Sequence, residues 1–350
     1  MLTDSIFTDL VAKASMAPSA DNMQPWAFCK VNNSIEVYGV NARMLSTDVM
    51  GMFTWISIGA AIQNIVLAAS SYHLKADVSY QEVGEIAAII TFTYNAKRSH
   101  LVDSINLRTT NRVAFKSESI DDKLIKELDQ SIVGFDAKLF WTQSAKDFKM
   151  MAYFDAHLSY IRLEHKPLHD ELFEILRFNT RQNESMRFGL SFESLGVPKF
   201  AVTFAKLLQY WSINKIVSRL GVGRLVAKQL SNKLRKNGCI CLLTTSGRNR
   251  VCYLESGRAL QNLWLTATSL GLSVQPYGVI PQYFTKNEVE PETFLTKYND
   301  AINSIKEPFY NIFKGAEKEF PSIVLRMGWA QKQSARSEVR LVPKQLIITF

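Results

Sequence analysis

The hydrophobic positions of this chain fall into short segments of two different periods. Ile6, Phe7, Leu10, Val11 and Ala14 share one face at helical spacing behind a Thr3/Asp4 cap, which predicts an amphipathic first helix. Residues 27–31 and 35–40 read as two strands joined by an Asn32-Asn33 turn, residue types suited to a tight hairpin. A polar linker follows, with Ser46, Thr47 and Asp48 as candidate caps. Residues 55–72 are then apolar almost all round, which predicts a buried helix whose Gly59-Ala60-Ala61 admits a close neighbour. Residues 86–94 form a β-branched run that reads as a central strand, and His73, directly after the buried helix, reads as a structural residue. Further on, 238–245 predicts a second buried strand and 254–270 a second core helix closed by Gly271.

Two stretches between these elements carry candidate chemistry. Ala17-Pro18-Ser19-Ala20-Asp21-Asn22-Met23-Gln24-Pro25-Trp26 lies at a helix-to-strand junction, where Pro18 stops the helix and Pro25 biases Gln24 toward an extended shape. Ser19, Asn22 and Gln24 offer donors and acceptors without charge, which suits the edge of a heteroaromatic ring; a capped Asx turn is the plain alternative. Arg108-Thr109-Thr110-Asn111-Arg112 places two guanidiniums and a hydroxyl ahead of a helical pattern that begins near Asp122. Such a set holds a phosphate dianion, the alternative being a pair of solvated arginines.

The two core helices repeat one another. Residues 59–71 align without gaps on 257–269, at an offset of 198 residues from Gly59 to Gly257, and Gln63-Asn64 falls on Gln261-Asn262. A period that long is no solenoid and points to a duplicated domain.

The string Pro18-Ser19-x-x-Asn22-x-Gln24-Pro25-Trp26 resembles the signature of the FMN-dependent nitroreductase family, whose loop lies against the isoalloxazine and ribityl part of the flavin. Arg108-x-Thr110-x-Arg112 resembles that family's Arg-x-Ser-x-Arg segment, which binds the flavin phosphate, with Thr in place of Ser and a position roughly a hundred residues later than in a single unit. Residues 273–278 look like the family's turn over the flavin, which carries over Pro276, Tyr277 and Gly278; residues 321–329 look like its last strand, and Arg336 and Arg340 match its basic C-terminal element. The resemblance implies an α+β nitroreductase-like fold, a central mixed or antiparallel sheet flanked by helices, duplicated here as a single-chain pseudo-dimer. Residues 1–97 would form the first half; residues 98–350 would form the second, with a helical insertion at about 144–236. It further implies one FMN per chain, NAD(P)H as a transient electron donor, a small organic acceptor and no obligate partner subunit. A flavin-storage role with little turnover, like that of long mycobacterial relatives, is the alternative. A flavin performs electron transfer itself, so no catalytic triad is required.

Composition narrows this a little. Across 350 residues, Lys+Arg 41 against Asp+Glu 32 gives +9, which suits an anionic ligand, nucleic acid or an anionic membrane and selects none of them. Residues 200–236 are apolar and basic without one acidic residue, as in a lid, a membrane-surface element or a capping helical pair with a solvated cationic face. The capping pair fits best, because Gly221-Val222-Gly223 interrupts a continuous interfacial helix, and nucleic acid fits worst, for want of a recognition motif. Cys29, Cys239, Cys241 and Cys252 lack zinc spacing and read as buried thiols, so no metal is expected. No nucleophile elbow, Walker loop or Rossmann fingerprint is present. The N-terminal stretch has no apolar leader core and no run reaches the ~18 apolar residues of a spanning helix, so a cytoplasmic location is expected.

Overall fold

The computed structural model describes residues 1–195, 200–293, 296–332, 334 and 339–349. Thr3 caps α1 (Asp4–Ala14) by accepting the Ile6 N–H, and Phe7, Leu10 and Val11 face inward. β1 (Trp26–Val31) and β2 (Ser34–Gly39) form the hairpin, turning at Asn32 with φ +53°. Asparagine tolerates that left-handed conformation better than most residues. The α2 helix (Met52–Ala69) starts where the Asp48 carboxylate accepts the N–H groups of Phe53 and Thr54. β3 (Leu74–Tyr80) and β4 (Ile86–Tyr94) complete an antiparallel sheet ordered β1-β2-β4-β3.

The chain then passes through α3 (Val102–Leu107), α4 (Asp122–Gln130) and β5 (Lys138–Thr142). A mainly helical stretch follows: α5 (Ala145–Ser159), α6 (Ile161–Glu164), α7 (Lys166–Ile175), β6 (Leu176–Arg177), α8 (Thr180–Met186) and β7 (Leu190–Ser191). It continues into α9 (Phe200–Leu208), α10 (Trp211–Arg219) and α11 (Val222–Ser231). The remaining elements are β8 (Cys239–Thr245), α12 (Arg250–Ser269), β9 (Ser273–Tyr277), α13 (Val279–Val289), α14 (Thr296–Ile312), β10 (Phe320–Gly328) and α15 (Pro343–Leu346).

The fold is α+β, with antiparallel sheets flanked by helices. The expected central sheet resolves into two, the second ordered β5-β8-β10-β9; among the named strands of the described residues only the short β6/β7 pair is parallel, with isolated parallel bridges at Phe28–Ile347 and Thr110–Val274. β8 is wholly buried, and the thiols of Cys239 and Cys241 within it are pushed up by burial. Residues 273–277 are a strand and not a turn, and Gly278 leads into α13. Proline is tolerated there because β9 lies at the sheet edge, where a missing N–H breaks no interior ladder.

The two core helices meet at their repeat. A Cβ on Gly59 would lie 2.1 Å from the Leu254 carbonyl oxygen, and one on Gly257 would lie 2.0 Å from that of Ile56. Gln63 Nε2 donates to Asn262 Oδ1 at 3.1 Å, and Gln261 Nε2 donates to Asn64 Oδ1 at 2.6 Å. Each contact is the other with its partners exchanged, the reciprocity a two-fold axis imposes on a dimer interface. Residues 49–72 have the length and composition of a membrane span, and 83% of the most apolar window is buried inside the protein.

Asp155 of α5 is buried among apolar side chains, with the Ser231 hydroxyl donating to it at 2.6 Å. Burial pushes its carboxyl from 3.8 up to about 6, against the opposing pull of the Ser231 and Ser159 hydroxyls. Folding therefore favours the protonated form, and that stability is full below about pH 4 and lost as pH rises through about 6. Urea unfolding at pH 4 and pH 7 should show wild type losing more stability over this interval than Asp155→Asn, by up to roughly 3 kcal/mol. Equal losses would remove Asp155 as a titrating core group.

Candidate active site

The junction between α1 and β1 is a strained loop. Asp21, Asn22 and Gln24 hold φ values of +46°, +58° and +51°, a conformation that costs of order 1–3 kcal/mol per non-glycine residue. Side-chain bonds hold it there. Ser19 Oγ accepts the Gln24 N–H at 3.0 Å, and Ser57 Oγ on α2 accepts the Ala20 N–H at 3.1 Å. Gln24 is fully buried, donates to the carbonyls of Asn22 and Arg187, and accepts the Leu341 N–H at 2.9 Å.

A cavity of about 390 Å³ opens against this loop. Pro18, Ser19, Asp21 and Asn22 form one side, Phe53, Ser57 and Ala60 of α2 and Trp264 of α12 the floor, and Pro276 and Gly278 another edge. Arg108, Thr110, Arg112 and Arg340 also line it. The C-terminal end of α1 gathers two of these guanidiniums. Arg108 donates to the Met16 carbonyl at 2.9 Å and Arg340 to those of Ser15 and Ala17, oxygens at the negative end of a helix. Arg108 is almost fully buried and its guanidinium lies 4.6 Å from the centre of the Trp264 ring. Arg112 is positioned through its neighbour: Asn111 bonds to Ser273 Oγ and to the Val274 carbonyl of β9, both at 3.0 Å. Burial pulls the Arg112 pKa down, while Asp21 and Tyr277 oppose the shift.

The helical stretch from α5 to α11 supplies a further wall. Arg162 of α6 pairs with Asp21 at 2.5 Å. Burial works against the charge of Arg162, and Asp21 outweighs it, so its pKa is raised overall. Glu171 of α7 accepts Ser46 Oγ and the Thr47 N–H, each at 2.9 Å. Asn22 and Gly189 exchange two hydrogen bonds, Gly189 N to Asn22 O and Asn22 Nδ2 to Gly189 O, both 3.1 Å. The helical stretch is thus latched to the strained loop from above.

Of the residues singled out in the sequence, the cavity collects Ser19, Asn22, Arg108, Thr110, Arg112, Pro276, Gly278 and Arg340. Gln24 is not among its lining residues, because its amide is spent on the carbonyls of Asn22 and Arg187 and on the Leu341 N–H. Tyr277 packs instead against the helical core beside β10, and Arg336 lies outside the described residues. Among the described residues, no group of three or more His, Cys, Asp or Glu side chains could hold a metal ion.

No family model matches the chain. An uncharacterized protein of Mycobacterium tuberculosis (strain CDC 1551 / Oshkosh) is 22% identical over 340 residues, covering 95% of this chain. The chain spans only 47% of that relative's length. A nitroreductase with bound FMN from Desulfitobacterium hafniense DCB-2 superimposes with a TM-score of 0.37 at 15% identity, over 69% of this chain and 94% of that one. For an FMN-dependent nitroreductase from Clostridium difficile R20291 the values are 0.38 and 13%, over 67% and 94%. These are likenesses of fold alone. At such scores they carry no argument about activity.

Sequence reasoning missed Arg162, Glu171 and Arg326. Asp21 signalled a carboxylate in the loop, but its cation comes from 141 residues away, and nothing local to Arg162 marks it. Arg326, fully buried on β10, donates to Gln275 Oε1 at 2.9 Å and to the Val113 carbonyl at 2.7 Å, which fixes the Arg112 segment to the sheet. An arginine inside an otherwise apolar strand was the available signal for it.

Proposed function

We propose that this chain binds FMN in the cavity between the strained loop and the Arg108–Arg112 segment, and is an oxidoreductase of nitroreductase type taking electrons from NAD(P)H. The observation that carries this reading is the convergence of the two motifs, far apart in sequence, on one cavity whose size lies in the range of small-molecule sites. The donor set suits a flavin phosphate at one end and a planar ring at the other. Arg108, Thr110, Arg112 and Arg340 would hold the phosphate by charge-assisted hydrogen bonds. Ser19, Asn22, Pro276 and Gly278 would border the ring and ribityl, where small residues and backbone permit close approach. Bound flavin supplies the two-electron chemistry, and the chain's part is to bind it, orient it and exclude water. The reciprocal α2/α12 contacts support a fused pseudo-dimer with one site per chain, needing no partner subunit, and a cytoplasmic setting fits this role.

A storage role with little turnover is the second reading, favoured by the insertion latched over the cavity through Asp21–Arg162 and Asn22–Gly189. Purified protein should carry one flavin per polypeptide, and anaerobic NADPH should bleach its absorbance. A bound-flavin spectrum unchanged by NADPH would favour storage. Absence of flavin binding altogether, or two flavins per chain, would overturn the single composite site.

A further inference from the structure

Helix α10 lies over α6 and α7, the two helices that bring Arg162 and Glu171 to the cavity, with α9 packed beside it and α11 against α5. The layer is fixed from beneath. Asn214 Nδ2 donates to the Leu163 carbonyl at 2.6 Å, His169 Nε2 donates to the Leu208 carbonyl at 2.9 Å, and the His169 ring lies edge-on to Trp211 at 5.0 Å. Its outer side is apolar. Ile213 and Ile216 of α10 and Leu220, the residue that ends it, recur at intervals of three and four residues, one stripe of a helix, and Ile216 and Leu220 are 62% and 77% exposed. Gly221, at φ +80°, then turns the chain back into α11, where Leu225 is 64% exposed. The glycine that argued against one long interfacial helix therefore builds a hairpin whose two arms both present aliphatic side chains.

The charges beside this stripe have one sign. Lys206, Lys215, Arg219, Arg224 and Lys228 are exposed, and residues 200–236 contain no Asp or Glu. A second copy of the chain would set these cations against their own equivalents, so self-association is opposed. A nucleic acid would meet the cations but leave the aliphatic stripe unused. Lipid satisfies both, since phosphate headgroups take Lys and Arg while the acyl boundary takes Ile and Leu. We propose that the α9–α11 face docks this protein on an anionic lipid bilayer, with the α10 stripe entering the headgroup–acyl boundary.

Co-sedimentation of the full chain with vesicles tests this. Binding to phosphatidylcholine vesicles containing about a third phosphatidylglycerol should exceed binding to phosphatidylcholine alone by at least tenfold, and should weaken with salt. The variants Ile216→Asp/Leu220→Asp and Lys215→Glu/Arg219→Glu alter exposed positions, so their thermal midpoints should match wild type while each loses at least tenfold in vesicle binding. Equal binding to both vesicle types, or variants that bind like wild type, would overturn the proposal. So would a lipid-free dimer, seen by light scattering, that Ile216→Asp/Leu220→Asp converts to monomer.

Discussion

Gly59→Ala and Gly257→Ala are each expected to cost more than about 3 kcal/mol of stability, the upper end of what overpacking a core does. The new methyl carbon would fall 2.1 Å from the Leu254 carbonyl oxygen in one case and 2.0 Å from the Ile56 carbonyl oxygen in the other. Both obstacles are backbone, so no rotamer change relieves them. The helices have to separate, and separation stretches the Gln63–Asn262 and Gln261–Asn64 bonds beside the crossing. An unsatisfied buried amide costs ~1–3 kcal/mol more. Because both glycines guard one interface, the double variant should be less destabilised than the sum of the singles: once the first methyl has parted the helices, the second finds room. Urea unfolding of the three variants reads this directly. Additive costs, or single variants as stable as wild type, would mean that the helices do not cross at these glycines.

The sequence signals that proved legible were those with a local cause. The helical spacing of Phe7, Leu10 and Val11, the Asp48 cap and the Asn32 turn each depend on residues within one turn or hairpin of one another. The repeat also located both core helices, since close approach of backbones needs Gly59 and Gly257 whatever the rest of the fold does. What stayed hidden was pairing across distance. Strand residue types do not say which strands share a sheet, so the division into two sheets could not be read. Gln275-Pro276 carries turn chemistry, yet an edge strand accepts it. Gln24 looked like a ligand because it is polar and sits in the right loop. In the fold, however, its amide ties this strained, left-handed loop to itself at Asn22 and to Arg187 and Leu341, which come from far along the chain.

Arg112→Glu is expected to release FMN while leaving the protein folded. Its guanidinium borders the cavity and is half-buried, and its backbone N–H is held separately by Ser334 Oγ at 3.0 Å. Replacing the side chain therefore removes the proposed phosphate ligand without removing the bond that positions the segment. A charge-assisted hydrogen bond is worth ~1.5–3 kcal/mol, which is roughly ten- to more than a hundredfold in affinity, and an opposing carboxylate adds repulsion. Arg108 provides the contrast. It is almost fully buried, lies against Trp264 and donates to the Met16 carbonyl, so Arg108→Ala should lower the thermal midpoint of the flavin-free protein as well. Measuring flavin fluorescence quenching together with thermal unfolding separates the two roles. The expected pair of results is a stable Arg112→Glu protein that binds FMN at least tenfold more weakly, and an Arg108→Ala protein that is both weaker in binding and less stable. Wild-type FMN affinity in a folded Arg112→Glu protein would remove Arg112 from the phosphate site, and with it the reading of the 108–112 segment as a phosphate clamp.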